Sequence, residues 1–196
     1  MTIGISLGWN CYSAIYSVHS GDRERKSEGY NTCPFDMCLT NYMGIVQCIK
    51  DDFKHFMDVE ISEVSDDALY MANDTIIHNK HYNFIFNHES PHHKALWIKE
   101  AWSGGKGHFV DNRFEKFIER YNNRITNFRN YLNSGEKILF IITKENDNLT
   151  ELHEAIKENY PTLDYSIKRL DLELGKEHYY SHLQIMGCNI DLLNNL

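Results

Sequence analysis

The segment Lys137–Thr143, KILFIIT, constrains the fold more than any other stretch of this chain. Five consecutive apolar side chains leave the strand no polar face, so both of its faces must be covered. Such strands belong to parallel sheets. Asn146-Asp147-Asn148 follows as a cap region, and Leu149, Leu152 and Ile156 then recur at helical spacing. That helix must stop before Pro161. Leu163–Leu172 alternates like a further strand. Strand, helix and strand of these lengths form a βαβ unit with a right-handed crossover.

The rest of the chain reads in the same terms. Thr2–Gly8 is a short buried strand, and Tyr12–Val18 a short helix. Ser20–Asn31 is a charged loop, and Cys33-Pro34-Phe35-Asp36 is a turn, since a proline pushes the residue before it out of helical geometry. Apolar residues at helical spacing from Ile45 to Met57 predict a helix over 43–57. Ala68–Ala72 and Tyr82–Phe86 are expected strands, and Ser103–Gly107 a glycine-rich loop. The longest helix is expected to be capped by Asp111. It carries one apolar stripe from Phe114 to Leu132 and ends at Ser134-Gly135. The tail from His178 to Leu196 is compatible with an edge strand and a short helix. No repeat or linker divides the chain. The expected fold class is therefore α/β: a single three-layer domain over 1–196, with a mostly parallel Rossmann-like sheet and helices on both faces.

Composition narrows the function. The formal net charge of −8 argues against nucleic acid as a partner, because a basic surface is required. No apolar run reaches the ~18–20 residues of a membrane span, and the start lacks the pattern of a signal peptide. Five cysteines without a regular framework fit free thiols in a reducing compartment, so a cytoplasmic protein is expected.

One cysteine stands out. In Gly4-Ile5-Ser6-Leu7-Gly8-Trp9-Asn10-Cys11-Tyr12, Cys11 sits where a strand hands over to a helix N-terminus. Backbone N–H groups there favour negative charge, which predicts a stabilised thiolate and an oxyanion hole from the amides near Asn10–Tyr12, with Gly8, Trp9, Asn10 and Tyr12 as binding residues. A free cysteine is more often just a small buried hydrophobe, so position carries the argument. Among eleven histidines, His88 is the best candidate base, because it follows the strand Tyr82–Phe86 and strand ends converge on a common crevice. Asp36 and Asn10 are candidates to orient the imidazole, with Asp36 ranked first. Glu89 is adjacent but is expected to point to the other face.

Metal chemistry is the competitor. His88-Glu89-Ser90-Pro91-His92 matches the HExxH spelling, but that motif needs a continuous helix, which Pro91 interrupts. Cys33, Cys38, Cys48 and Cys188 lack metal-binding spacing. No metal and no cofactor is expected. Gly104-Gly105-Lys106-Gly107 lacks the frame of a phosphate loop and reads as a mobile loop beside a pocket. Arg113, Arg120, Arg124 and Arg129 stud the long helix, and Arg124 is the one singled out for binding.

The opening ISLGWNCYSA, the turn Cys33–Asp36 and the segment GIVQCIKDDFKHFM follow one another as in a family labelled papain-like cysteine peptidases. That family shows SLGxxCxxA, then PFDW, then DDFxxF, then a strand ending in histidine, an arginine-containing helix and an apolar strand. The chain resembles it over roughly residues 3–143, judged against a one-domain reading. Met37 replaces the tryptophan, Glu89 an aspartate, and Asn123 one of two paired arginines. The resemblance implies a Cys–His hydrolase or transferase with Cys11 as nucleophile and His88 as base. It also implies a papain-like antiparallel sheet, at odds with the parallel pattern of the strands.

The leading expectation is thus a cysteine hydrolase of the peptidase or amidase kind acting on a peptide or small acyl substrate. Its rival is a non-catalytic Rossmann-like module that binds a nucleotide or other anion at the same turn, aided by Arg124 and the Gly104–Gly107 loop. A virus- or host-interaction protein on an inherited enzyme scaffold is the third expectation.

Overall fold

The computed structural model describes residues 2–9, 11–64, 74–93, 96, 102–143 and 148–170. Asn10, the expected strand Ala68–Ala72, Trp97 and the tail with Cys188 lie outside the described residues. The elements in chain order are β1 (Thr2–Ser6), α1 (Tyr12–His19), α2 (Tyr42–Lys50), β2 (Val59–Val64), β3 (Asp74–Asn79), β4 (Phe84–Ile85), α3 (Asp111–Leu132), β5 (Lys137–Thr143), α4 (Thr150–Asn159) and β6 (Tyr165–Leu170). Among the described residues, no helix is long and apolar enough to cross a membrane.

The βαβ expectation holds. β5 lies between β1 and β6, and both pairings are parallel. Ile5 stands opposite Phe140, and Phe140 opposite Ile167. Ile138, Phe140, Ile141 and Ile142 are all buried, as a strand covered on both faces requires. α4 makes the crossover and packs against α2, where Asn159 Nδ2 donates to Ile49 O at 2.9 Å.

The expected single, mostly parallel sheet is not what the chain builds. β2, β3 and β4 form a second, antiparallel sheet, so the molecule is mixed α/β. Short connections explain this: only residues 80–83 separate β3 from β4, and a hairpin is the only pairing so few residues allow. β2 escapes a pattern search because Ile61, on its apolar-looking register, is exposed. Both sheets nevertheless feed one apolar cluster that includes Ile5, Ile77, Phe84 and Phe140.

The second helix stops at Lys50 rather than Met57. The N–H of Phe53 bonds Cys48 O at 2.9 Å and that of Asp52 bonds Ile49 O at 3.1 Å, with Asp52 at φ +48°. This is a Schellman stop with aspartate in the left-handed position usually held by glycine. Phe53 and Phe56 are core residues of a turn and mimic helical spacing. Phe35 meets them both, at 5.7 and 6.2 Å between ring centres, and also Phe84 and Phe128. The long helix is not capped by Asp111. Val110 occupies the cap position without a side-chain hydrogen bond, and residues 112–114 have φ of +56 to +64°.

Candidate functional site

The turn after β1 is pinned from three sides. Ser13 Oγ donates to Gly8 O at 2.9 Å and lies 3.0 Å from Thr143 Oγ1 at the carboxyl end of β5. Trp9 N–H donates to Thr40 Oγ1 at 2.9 Å, and Thr40 N–H to Trp9 O at 2.8 Å. Gly8 has φ +88°, and a Cβ there would collide with Thr40 Oγ1. Trp9 has φ +64°. A bulky residue in that region costs about 1–3 kcal/mol and persists only where its surroundings impose it. The turn is therefore strained and held, at the carboxyl edge of the parallel sheet where α/β proteins place their ligands. Tyr12 opens α1, its ring 5.9 Å from that of Trp9.

Cys11 occupies the N-cap position of α1, half-buried, with no side-chain cap hydrogen bond. The stabilised thiolate expected here does not arise from the turn alone. Burial pushes the thiol up to about 12, and a backbone hydrogen bond only partly opposes it. The partial charge of an eight-residue helix is too small to outweigh desolvation. At neutral pH the thiol keeps its proton until a base removes it.

His88 sits in a single 3-10 turn, Asn87–Glu89. Ser90 clips that turn to β3: its Oγ donates to Phe86 O at 2.7 Å and accepts from Ile77 N–H at 2.8 Å. The His88 ring lies 4.7 Å from that of His93. Ser90 is extended, so no helix carries His88 and His92 together and the HExxH spelling has no metal-binding geometry.

Residues 39–40 join the two turns. Leu39 exchanges both backbone hydrogen bonds with Ile85, at 2.8 and 2.9 Å, while Thr40 bonds Trp9. Successive residues of an extended segment direct their backbone groups to opposite sides. Trp9 and Ile85 thus flank the same segment, about 10 Å apart as two strand spacings dictate. Cys11 follows the first by two residues and His88 the second by three.

Asp36 is committed elsewhere. Its Oδ1 ion-pairs with Arg23 Nη1 at 2.7 Å, and its Oδ2 accepts from Tyr30 Oη at 3.2 Å and Cys33 N–H at 2.8 Å. Arg23 also lies over the Tyr30 ring, 4.1 Å from its centre. These contacts make Asp36 the anchor of its own turn, and that turn drives Phe35 into the core.

The acid that spacing overlooked is Glu89. It is 0% exposed, with Oε1 2.9 Å from Arg120 Nε and 3.3 Å from Arg124 Nη1, and Oε2 accepting from Tyr121 Oη at 3.0 Å. It points toward α3. The signal available beforehand was the i, i+4 pair Arg120 and Arg124 on one helix face. Arg124 is thus an ion-pair partner of the residue beside His88.

Among the described residues, the group able to hold a metal ion is Asp51, His55 and His81, whose ligand atoms lie within 4.8 Å of one another. Asp51 Oδ2 already accepts from Tyr82 Oη at 3.2 Å, and His55 Nδ1 lies 2.8 Å from Asp58 Oδ2.

No curated protein and no solved structure matches this chain. A family model matches residues 3–172, from the first turn of β1 to just past β6, taking in the Cys11 and His88 turns and α3 between them. With Cys11 on a strained strand end and His88 on a clipped turn across residues 39–40, the chain belongs to the family described as "Putative papain-like cysteine peptidase (DUF1796)".

Proposed function

We propose that the protein is a cysteine hydrolase acting on a peptide or small acyl substrate. The observation that carries this reading is the strained Gly8–Trp9 turn presenting Cys11 at the carboxyl edge of the parallel sheet. Strain of this kind concentrates where a reactive group must be held in place. Cys11 Sγ attacks the acyl carbon as His88 removes the thiol proton, and the proton then passes to the leaving group. Water next attacks the thioester, His88 takes its proton, and the thiol is restored. Backbone N–H groups at the start of α1 stabilise the oxyanion. Because burial holds the thiol near 12, His88 acts during the attack rather than by storing an ion pair beforehand. Glu89 and its arginines keep the His88 turn in place. In fold terms, β1, β5 and β6 are the Rossmann-like core of one domain, with the antiparallel sheet carrying the base to it.

The test is labelling of Cys11 by an acyl-directed covalent probe. Wild type is expected to react at Cys11, with His88→Ala slowed about 100-fold or more, the usual contribution of a general base. Cys33→Ala keeps the wild-type rate. Equal rates in wild type and His88→Ala would remove His88 from the mechanism. The raised thiol also supports the rival reading, an anion-binding module without catalysis. That reading predicts ordinary slow alkylation that climbs about tenfold per pH unit from 7 to 10 and is indifferent to His88.

A further inference from the structure

One flank of α3, at the edge of the core, borders a cleft of about 340 Å3. Its walls carry three cations, Lys26, Arg120 and Arg124, and the amides of Asn123 and Asn127, with no acid among the described lining residues. Behind the wall, the single carboxylate of Glu89 serves both arginines. Among the described residues of the wall, with Glu89 behind it, three positive charges stand against one negative, an excess of two. That excess sits in a chain whose formal net charge is −8. Two acids flank the Lys26 turn: Glu28, which accepts from the backbone N–H of Arg25 at 2.9 Å, and Glu24, whose carboxylate lies against Gly29 outside the wall. Asp36 is balanced by Arg23 at 2.7 Å.

Both arginines converge on one carboxylate oxygen: Arg120 Nε and Arg124 Nη1 are buried and meet Glu89 Oε1 as ion pairs that lack hydrogen-bond geometry. Arg124 has a side chain only 6% exposed and lies over the Tyr121 ring, 4.6 Å from its centre. Burial, followed by the like charge of Arg124, pulls the Arg120 guanidinium below its ordinary value. Two guanidiniums held side by side in a half-closed cleft repel each other, and an anion between them relieves that repulsion. Guanidinium forks match the oxygens of phosphate and carboxylate, and an excess of two selects a dianion.

We propose that this cleft binds a compact dianionic oxyanion, the phosphate monoester of a small molecule. The volume lies at the lower end of small-ligand pockets, enough for a phosphate and a short organic body. Lys26 and Asn123 are exposed on the rim, whereas Arg124 is part of the buried ion-pair cluster. The site borders the Glu89 cluster beside His88, and it holds whether or not Cys11 is a nucleophile.

The experiment is calorimetric titration of the full chain with inorganic phosphate at pH 7.5 in low-salt buffer. Chloride at matched ionic strength and succinate are run beside it. Saturable one-to-one binding of phosphate is expected, tighter than that of succinate and absent with chloride. Lys26→Glu and Asn123→Glu each place a negative charge on the rim without touching the core. Each is expected to weaken phosphate binding about tenfold or more, the scale of one charge at a few ångströms near a surface. Unchanged thermal unfolding without phosphate confirms that both variants are folded. Absence of saturable binding overturns the proposal, as does binding that neither substitution weakens. Tighter binding of succinate than of phosphate overturns the assignment to phosphate.

Discussion

Two buried acids, Asp36 and Glu89, meet arginine in opposite ways. Asp36 has one guanidinium, one tyrosine hydroxyl and one backbone N–H, and its charge is cancelled. Glu89 has two guanidiniums and one tyrosine hydroxyl, and cancels only half of what surrounds it. The first corner is closed and serves packing: it fixes the turn that inserts Phe35 among four aromatic rings. The second corner keeps surplus positive charge and faces a cleft. A balanced buried pair marks structure, and an unbalanced one marks a place still able to receive something.

The largest expected effect tests that asymmetry directly. Glu89→Gln strands the buried Arg124 and the half-buried Arg120 and is expected to cost about 3–5 kcal/mol, whereas Asp36→Asn strands one guanidinium and costs about 2–3 kcal/mol. Urea unfolding of the two variants measures both, and equal losses would erase the distinction. Next in size is the division between the arginines. The Arg124 side chain is 6% exposed and that of Arg120 32%. Arg124→Met is therefore expected to cost about 2–3 kcal/mol and Arg120→Met under about 1 kcal/mol, because solvent screens the more exposed pair. The reverse order would show that the shorter 2.9 Å contact outweighs burial.

The smallest effect is a pH dependence shared by the two corners. Tyr30 and Tyr121 are both held well above the ordinary tyrosine range, by burial first and by the neighbouring carboxylate second. In the unfolded chain these phenols ionise near pH 10, roughly the ordinary value. Their contribution to stability is thus complete below pH 10 and is lost as pH rises toward the folded values. Tyr121→Phe and Tyr30→Phe should each flatten the alkaline decline in thermal stability, at a cost of about 1 kcal/mol near neutrality for the lost hydrogen bond. A decline unaltered by either substitution would assign it to the buried thiols instead.

How much of this was legible beforehand depended on the range of the interactions. KILFIIT announced a strand buried on both faces, and the chain around it could only fold as βαβ. Gly8 and Cys11 announced a strand-to-helix turn. The helix through Ile45 was legible up to Lys50 but not its end, since Phe53 and Phe56 keep the helical rhythm inside a turn. β2 was hidden because Ile61 faces solvent where alternation calls for burial. His88 is the candidate base that its place after an apolar strand suggests, and the structure sets it in a 3-10 turn just beyond β4. Asp36 ranks first to orient His88 because it follows the proline turn in a local motif, and its partners are Arg23 and Tyr30, which no spacing rule connects to it.

The sequence by itself determined the local elements, their apolar faces, the parallel pair around β5 and the strand-to-helix handover that carries Cys11. Those features follow from side-chain period and backbone sterics within a few residues. Tertiary structure alone decided that the antiparallel sheet exists, that burial rather than the helix terminus sets the state of the Cys11 thiol, and that Glu89 rather than Asp36 stands between two arginines. Desolvation and charge balance depend on which distant groups share a volume, and no local pattern encodes that.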